Sequence, residues 1–334
     1  MSVAEEVRAT RRTAGVFRLQ GRALLEVHGS DRARFLQGQL SNDVACLDAS
    51  RSDSGCHALA LTREGRIVAE FHVVARPDAF WLETDAAAAA AAIARLEKFV
   101  IADDVAIADR SAAFARFAVE GPRAPELIAT ATGVPLAIPD DGAVVAQIDG
   151  IEVVIAAFGW SGEAARQIFA ASEDAARIDE ALRAAATAHG AIAASEAALE
   201  VLRIEAGVPR FGAELGEHAL PAELRLESRA ISFTKGCYTG QEVVARMHSR
   251  GRVGHLLVGL AIEGAVLPAI GAALEADASR VGEVTSAAHS PSAGVIALGF
   301  VRRGFEDPGT VLAVEGRDAR VVALPIVAPA TVSS

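Results

Sequence analysis

The pattern of apolar and polar positions changes once along this chain of 334 residues. Up to about residue 250, short apolar runs typical of strands alternate irregularly with segments whose apolar residues recur every three or four positions, as in helices. One hairpin is especially clear, because residues 144–148 and 151–156 flank Asp149-Gly150, a dipeptide that favours a tight turn. Hairpins mixed with helices favour an α+β fold over a doubly wound parallel sheet.

After residue 252 the chain consists of short alternating runs separated by Gly, Pro and Asp. Such a series predicts a small antiparallel barrel or sandwich. The predicted strands are residues 255–260, 272–276, 280–286, 295–300, 310–314 and 319–324. We therefore predict an α+β region over residues 15–250 and a β-barrel over residues 251–330.

The sequence pattern also predicts the structure of three shorter segments. Residues 1–14 have no apolar core segment, so they are predicted to be a mobile leader and not a signal peptide. Residues 164–189 are predicted to be rich in helix. Thr239 and Glu242 have the spacing of a capping box, which predicts a helix from about residue 240 to about residue 248.

Composition and charge narrow the class of protein. Apolar residues make up 51% of the chain, yet no stretch is long and apolar enough to predict a membrane span, so we expect a cytoplasmic protein without a membrane partner. The net charge of −11 argues against non-specific nucleic-acid binding, which requires neutralisation of phosphates.

Cys46, Cys56 and Cys237 are far apart and form no Cys-x-x-Cys motif, which argues against a structural metal site. His57 and His72 are expected to be ordinary histidines.

The segment from Phe233 to Glu242 holds the strongest candidate for reactivity. Cys237 lies between two glycines, close to Lys235 and at the predicted start of a helix. A nearby cation and a helix N-terminus both favour the thiolate, which is the nucleophilic form of cysteine. The alternative is a glycine-rich turn with a buried, unreactive cysteine, and the spacing alone does not separate the two.

The segment from Lys235 to Glu242, together with the following Val243-Val244-Ala245-Arg246, resembles the signature of the YgfZ family. Members of that family are folate-binding proteins that support iron–sulfur cluster assembly or repair, and they are related to the glycine-cleavage T-protein, an aminomethyltransferase. Further blocks resemble the family in the correct order, at residues 29–44, 65–67, 98–105, 120–122 and 202–209. The resemblance implies an α+β fold with two interwoven ferredoxin-like lobes around a central folate cavity, followed by a C-terminal antiparallel β-barrel.

The resemblance also implies where tetrahydrofolate, or a one-carbon derivative of it, would bind. Residues 158–163 resemble a Gly-Tyr-Thr-Gly-Glu motif of the T-protein, so Glu163 is expected at the pterin ring, and Trp160 either beside the ligand or packed in the core. A carboxylate suits this role because it can accept two parallel hydrogen bonds from a ring N–H and the neighbouring amino group. The alternative for Glu163 is a surface glutamate stabilised by a helix N-terminus.

Other residues are assigned to the folate by the same resemblance. Arg203 and Glu205 are expected either at the ligand or as an internal structural pair, and Tyr238 and Gln241 are expected at the ligand. A basic stretch after the cysteine segment is either a solvated helix end or an anion site for the glutamate tail of a folate. Its members are Arg246, His248, Arg250, Arg252 and His255.

The chain departs from the T-protein pattern in its first hairpin. It reads Gly65-Arg66-Ile67-Val68-Ala69-Glu70 where the T-protein has Gly-Gly-Ile-Leu-Asp-Asp, with an aspartate that assists methylene transfer. Ala69 cannot transfer a proton. Glu70 could, and it is a candidate folate-binding residue, but its longer side chain would be placed differently. Leu199 also stands where the T-protein has an arginine. Aminomethyl transfer is therefore the less favoured function at this stage.

The sequence thus predicts a folate-binding accessory protein for iron–sulfur cluster assembly or repair. Cys237 would be its reactive thiol and Lys235 the activating cation. It is expected to act as a monomer on iron–sulfur proteins or assembly factors. One alternative is a tetrahydrofolate-dependent aminomethyltransferase, and another is a folate-binding interaction protein that catalyses no reaction.

Overall fold

The computed structural model of the protein describes residues 1–251 and 253–330. Arg252 of the basic stretch lies outside the described residues, as does the side chain of Arg250. The helices are α1 Val3–Arg12, α2 Arg32–Gln39, α3 Ala86–Glu97, α4 Ala124–Thr132, α5 Ala175–Ala188, α6 Glu196–Ala206, α7 Glu227–Ala230 and α8 Gln241–Arg250. The strands are β1 Gly15–Leu19, β2 Arg22–His28, β3 Gly55–Leu61, β4 Ile67–Ala75, β5 Ala79–Asp85, β6 Ala106–Asp109, β7 Phe114–Glu120, β8 Ala143–Ile148, β9 Ile151–Ala156, β10 Ala165–Ala171, β11 Ile192–Ala194, β12 His255–Ile262, β13 Ala273–Ala276, β14 Ser279–Ser290, β15 Gly294–Arg302, β16 Val311–Val314 and β17 Arg317–Val322.

Two sheets form the α+β region, and the chain passes between them. The first sheet has the antiparallel order β3-β4-β5-β2-β6, with α2 and α3 packed on one face. The second has the order β11-β1-β7-β10-β9-β8, with α4 and α5 on one face. Because β1 belongs to the second sheet and β2 to β6 to the first, the two lobes are interleaved in sequence.

The faces that carry no helices pack against each other. Leu24, Val74 and Trp81 of the first sheet meet Val154 and Phe169 of the second in a shared apolar cluster. On such a face every second residue of a strand points towards the other lobe. Polar residues at those positions are therefore buried between the lobes, and a cavity lies in the same interface.

The C-terminal region is a closed barrel with the strand order β12-β15-β14-β13-β16-β17. Its interior is filled by alternate aliphatic side chains, among them Leu260, Leu274 and Val301. The predicted α+β fold with a C-terminal antiparallel barrel is confirmed. No helix in the part of the chain that the structure describes is long and apolar enough to cross a membrane.

The prediction of a mobile leader over residues 1–14 is wrong, because most of this segment is the helix α1. Ser2 and Glu5 form a reciprocal capping box at its start, and Val7 is buried in a cluster with residues of α6. Glu6 accepts hydrogen bonds from the backbone and side chain of Ser195, just before α6. The apolar stripe of α1 is too short to be recognised in the sequence, and its contacts depend on a partner helix that lies far along the chain.

The helix predicted over residues 164–189 is only partly present. Its first part is the strand β10, and α5 occupies Ala175–Ala188. Ile168 and Phe169 pair with strands on both sides, β7 and β9. The helix propensity of this alanine-rich stretch is overridden by sheet pairing and burial, which local propensity does not encode.

Candidate functional site

A cavity of about 240 Å³ lies between the two sheets and is bordered on one side by α6 and the segment after it. Three of the predicted site residues line it, namely Glu70 on β4, Trp160 in the turn before β10, and Arg203 on α6. The residues of the Cys237 segment do not line it. The structure therefore divides the predicted site into separate groups.

The register of the β3-β4 hairpin decides which of the two residues, Ala69 or Glu70, faces the cavity. Leu59 is opposite Glu70, and Ala60 is opposite Ala69. Ala69 is fully buried in the core beneath α2 and α3, whereas Glu70 points to the cavity on the other face. The absence of an acid at Ala69 is therefore no argument against chemistry in the cavity, which corrects the reasoning from the sequence.

Glu70 is held by a histidine that sequence reasoning did not assign to the site. Oε1 of Glu70 lies 2.6 Å from Nε2 of His57, and the His57 side chain is almost fully buried. Burial raises the pKa of Glu70, but the charge and hydrogen bond of His57, with His72 and Arg22, outweigh it and lower that pKa to about 2. The cavity thus contains an ionised, acceptor-only carboxylate. Counting residues outward from the hairpin turn would have placed His57 and His72 on this face.

His57, Glu70 and His72 have potential metal-ligand atoms within 4.8 Å of one another. The two imidazole rings are stacked, with centroids 5.0 Å apart and planes 16° apart, and Phe158 also stacks on His72 at 3.7 Å. Nearly parallel rings direct their nitrogen lone pairs into separate planes, unlike ligands that converge on one ion. Burial lowers the pKa of His72, which favours the neutral ring. We interpret Phe158, His72 and His57 as a stack of three rings that holds His57 in position to bond Glu70.

A cation faces the same cavity. Arg22 donates two hydrogen bonds to the buried carboxylate of Glu83, at 2.7 and 2.8 Å, and its guanidinium lies 4.8 Å from the centroid of the Trp160 ring. Arg116 also approaches Glu83, at 3.1 Å, and burial lowers the pKa of Arg116 to about 10. Glu83 thus fixes Arg22 in place, and Arg22 and Trp160 together form one wall of the cavity.

Arg203 contributes to the cavity but is occupied by other partners. It donates to Glu200 at 3.0 Å, to Glu214 at 3.1 Å and to Ser286 of the barrel at 2.6 Å. Its guanidinium therefore joins α6 to the barrel, and it does not pair with Glu205. Arg210 also lines the cavity, is about half exposed, and lies 3.5 Å from Glu200. It is better placed than Arg203 to reach an anionic group at the rim.

Glu163 and Glu205 lie outside the cavity and share a cation. Arg11 of α1 donates to Glu163 at 2.7 Å and to Glu205 at 2.8 Å, and both carboxylates are almost fully buried. Glu163 also accepts from the backbone N–H of Ala330, and Glu205 from the hydroxyl of Ser290. Glu163, which is predicted to lie at the pterin, is held here in an internal ion pair with α1.

Lys235 does not point to the cysteine that it was predicted to activate. Its Nζ donates to the backbone carbonyls of Gln37, Leu40 and Asn42, at 2.8, 2.7 and 2.7 Å. Burial lowers its pKa to about 8. The ammonium group therefore anchors the segment to the end of α2, and its role is structural.

The rest of the cysteine segment forms a separate surface. Cys237 is exposed, so the alternative of a buried thiol at this position is wrong, whereas Cys56 is only partly exposed. Tyr238 is buried, and its backbone N–H donates a hydrogen bond to Oε1 of Gln241 at 3.3 Å. The predicted capping box of Thr239 and Glu242 does not form.

The start of α8 is set by Gly240. This residue is the N-cap with a φ of 88°, and no side chain caps the helix. A Cβ at Gly240 would lie 2.7 Å from the carbonyl oxygen of Thr62, so only glycine permits this close approach.

The basic residues of α8 and of the segment after it do not converge where they are described. The His248 ring stacks on Phe233 at 4.0 Å and lies 3.5 Å from Glu227. His255 lies instead in a cleft on the barrel with Arg280 and Arg302. The described part of the stretch thus resembles a solvated helix end more than a single anion site.

Two interleaved α+β lobes that enclose a polar cavity, followed by a closed antiparallel barrel, define the fold of aminomethyltransferases. The chain belongs to the family described as the GCVT N-terminal domain, which matches residues 1–235. Residues 256–331 match the glycine cleavage T-protein C-terminal barrel domain.

Individual relatives agree with this assignment over nearly the whole chain. An aminomethyltransferase of Streptomyces coelicolor is 29% identical over 312 residues, which cover 92% of this chain and 83% of the relative. One of Frankia alni is 30% identical over 323 residues, covering 94% and 86%. The crystal structure of the glycine cleavage system aminomethyltransferase T from Bartonella henselae superimposes with a TM-score of 0.86 at 24% identity, covering 98% of this chain and 90% of that one, and shows the shared fold.

Proposed function

We propose that this protein binds tetrahydrofolate, or a one-carbon derivative of it, in the cavity between the lobes and transfers a one-carbon unit there, as a tetrahydrofolate-dependent aminomethyltransferase. The observation that carries the proposal is the ionised Glu70, fixed by His57 and directed into the cavity beside Trp160. The relatives named aminomethyltransferase support it.

The residues of the cavity suit a reduced folate. The Glu70 carboxylate can accept hydrogen bonds from ring N–H groups, and Trp160 offers a flat apolar wall. Arg210 at the rim can pair with a carboxylate of the glutamate tail. The bound folate would supply the nitrogen atoms that carry the one-carbon unit.

Glu70 and His57 account for the chemistry that the chain itself contributes. An ionised carboxylate in a partly desolvated cavity stabilises positive charge that develops on a nearby amine, and it does so without reorganisation. Nε2–H of His57 donates to the Glu70 carboxylate across 2.6 Å, so the orientation of the carboxylate is fixed before a ligand binds. Arg22 is held in place by Glu83, and its charge helps to keep Glu70 ionised.

Calorimetric titration with the stable 5-formyltetrahydrofolate tests the ligand and its location. Glu70→Gln keeps the volume but removes the charge, and affinity should fall about tenfold or more, since a charge-assisted hydrogen bond is lost. Glu223→Gln is the matched control, because this glutamate is also buried but lies outside the cavity, and the affinity of this variant should stay within about twofold. Absence of binding to the unmodified protein, or equal affinities for both variants, would contradict the proposal.

A second function is favoured by one specific observation, the exposure of Cys237 in the segment that resembles YgfZ. Under that function the protein would bind folate in the cavity and support iron–sulfur cluster assembly or repair through Cys237 at a separate surface. The narrower YgfZ assignment rests on the motif alone.

Two variants separate the functions. Aminomethyl transfer from a carrier to tetrahydrofolate should be lost in Glu70→Gln and kept in Cys237→Ser. Under the accessory function, the purified protein would show no such transfer, and Cys237→Ser would fail to restore iron–sulfur enzyme activity in cells that lack the native protein.

A further inference from the structure

Glu120 is a fully buried carboxylate at the end of β7. It accepts hydrogen bonds from the backbone N–H groups of Trp160 at 3.1 Å and Ser161 at 2.7 Å, and from the side-chain amide of Gln167 at 3.5 Å. Among the described residues, no arginine, lysine or histidine nitrogen lies within 4.0 Å of it. A buried carboxylate without a paired cation is costly, so its three donors must compensate for lost water.

Two of the three donors, Trp160 and Ser161, belong to the turn between β9 and β10, and this turn is packed tightly onto Glu120. A Cβ at Gly159 would lie 2.9 Å from Cδ of Glu120 and 2.3 Å from Cβ of Ala165. Only glycine at this position lets the turn close on the carboxylate. Arg11 fixes the same turn from another side by donating to the carbonyl oxygen of Ser161 at 3.1 Å.

The turn carries two side chains that shape the cavity. Trp160 lines the cavity directly. Phe158 stacks on His72 at 3.7 Å, and His72 stacks in turn on His57, the partner of Glu70. A shift of the turn would therefore move the apolar wall and loosen the orientation of the carboxylate at the same time.

We propose that Glu120 is a positioning residue of the cavity, whose carboxylate fixes the turn so that Trp160 and Glu70 are presented to the ligand in one fixed geometry. The inference deepens the proposed function and rests on it for the identity of the ligand, a reduced folate. The positioning itself can be measured without any ligand. Glu120 does not touch the ligand, and it acts only through the turn.

The direct test uses Glu120→Gln in a Trp81→Phe background, so that Trp160 is the sole tryptophan. Glutamine has nearly the same volume, but its amide nitrogen cannot accept from a backbone N–H. The Trp160 emission should shift to longer wavelength and its quenching by acrylamide should increase at least twofold. The affinity for 5-formyltetrahydrofolate should fall about tenfold. Gly159→Ala, which pushes the turn away while keeping Glu120, should reproduce both changes.

Glu223→Gln in the same background is the matched control. Glu223 is also a buried glutamate that accepts a backbone N–H, from Leu220 at 2.9 Å, but it lies outside this cavity. This control variant should change neither the acrylamide quenching of Trp160 nor the affinity for 5-formyltetrahydrofolate by more than about twofold. A stability loss alone would move neither of these readouts in the folded protein.

Two results would overturn the inference: unchanged Trp160 emission in Glu120→Gln, whatever the affinity, or a change in Trp160 emission with unaltered affinity. If the unmodified protein binds no reduced folate while Glu120→Gln still shifts Trp160, the proposed function fails and the positioning role stands. The two failures are therefore distinguishable.

Discussion

Nε2 of His57 and Oε1 of Glu70 lie 2.6 Å apart across two neighbouring strands, β3 and β4. His57 is opposite His72 in the register and Glu70 is opposite Leu59, so the two residues are diagonal neighbours on one face of the sheet. The position of the acid therefore depends on sheet register and not on a mobile loop. Such placement suits a group that must be oriented before a ligand arrives.

The first prediction concerns stability in acid. The pKa of Glu70 is lowered from 4.5 to about 2, because His57 outweighs the effect of burial. A carboxylate with a lowered folded-state pKa stabilises the fold fully above about pH 4.5, and this contribution is lost as the pH falls towards 2. Denaturant titrations between pH 5.5 and about 3 should show a shallower loss of stability in Glu70→Gln and in His57→Gln. The exposed His255→Gln should retain the original slope, and equal slopes in all variants would refute the pairing.

The second prediction concerns the anchoring role of Lys235. Lys235→Met keeps the aliphatic stem but leaves three backbone carbonyls without their shared donor, which should lower the free energy of unfolding by about 2–3 kcal/mol. The chain has one other lysine, the exposed Lys98, and Lys98→Met should change stability by less than about 0.5 kcal/mol. Equal effects in urea denaturation would show that Lys235 is not an anchor.

The third prediction concerns α1, the segment expected to be mobile. Arg11→Ala removes the cation shared by two buried glutamates, and should lower the free energy of unfolding by about 3–5 kcal/mol. Arg12, the next residue, is exposed, and Arg12→Ala should have little effect. Thermal or chemical denaturation measures both. A small effect of Arg11→Ala would mean that α1 is not part of the cooperative fold.

The fourth prediction concerns the cysteines. Cys237 is exposed, burial and Asp43 raise the pKa of Cys46, and burial raises that of Cys56. Alkylation of the native protein at neutral pH should therefore modify Cys237 first, Cys46 more slowly, and Cys56 most slowly, because the thiolate is the reactive form. Peptide mass spectrometry gives the order. Modification of Cys56 before Cys237 would contradict this order.

Local pattern was sufficient for much of the fold. The hairpin across Asp149-Gly150 forms as β8 and β9, and the alternating runs after residue 252 form the strands of the barrel. Both are properties of neighbouring residues, namely turn chemistry and a period of two, and these can be recognised along the chain. The strand β10 was missed because its alanine-rich composition favours a helix and its neighbours in the sheet are distant in sequence.

By itself, the sequence determined the α+β class, the barrel, the family resemblance and the presence of Glu70, Trp160 and Arg203 among the candidates. Only the tertiary structure decided that His57 joins Glu70, that Arg11 takes Glu163 and Glu205, and that Lys235 turns away from Cys237. Arg11 and Glu163 are separated by 152 positions in the chain. Local periodicity depends on adjacent residues, whereas the convergence of side chains depends on strand register and on how the two sheets and the helices pack.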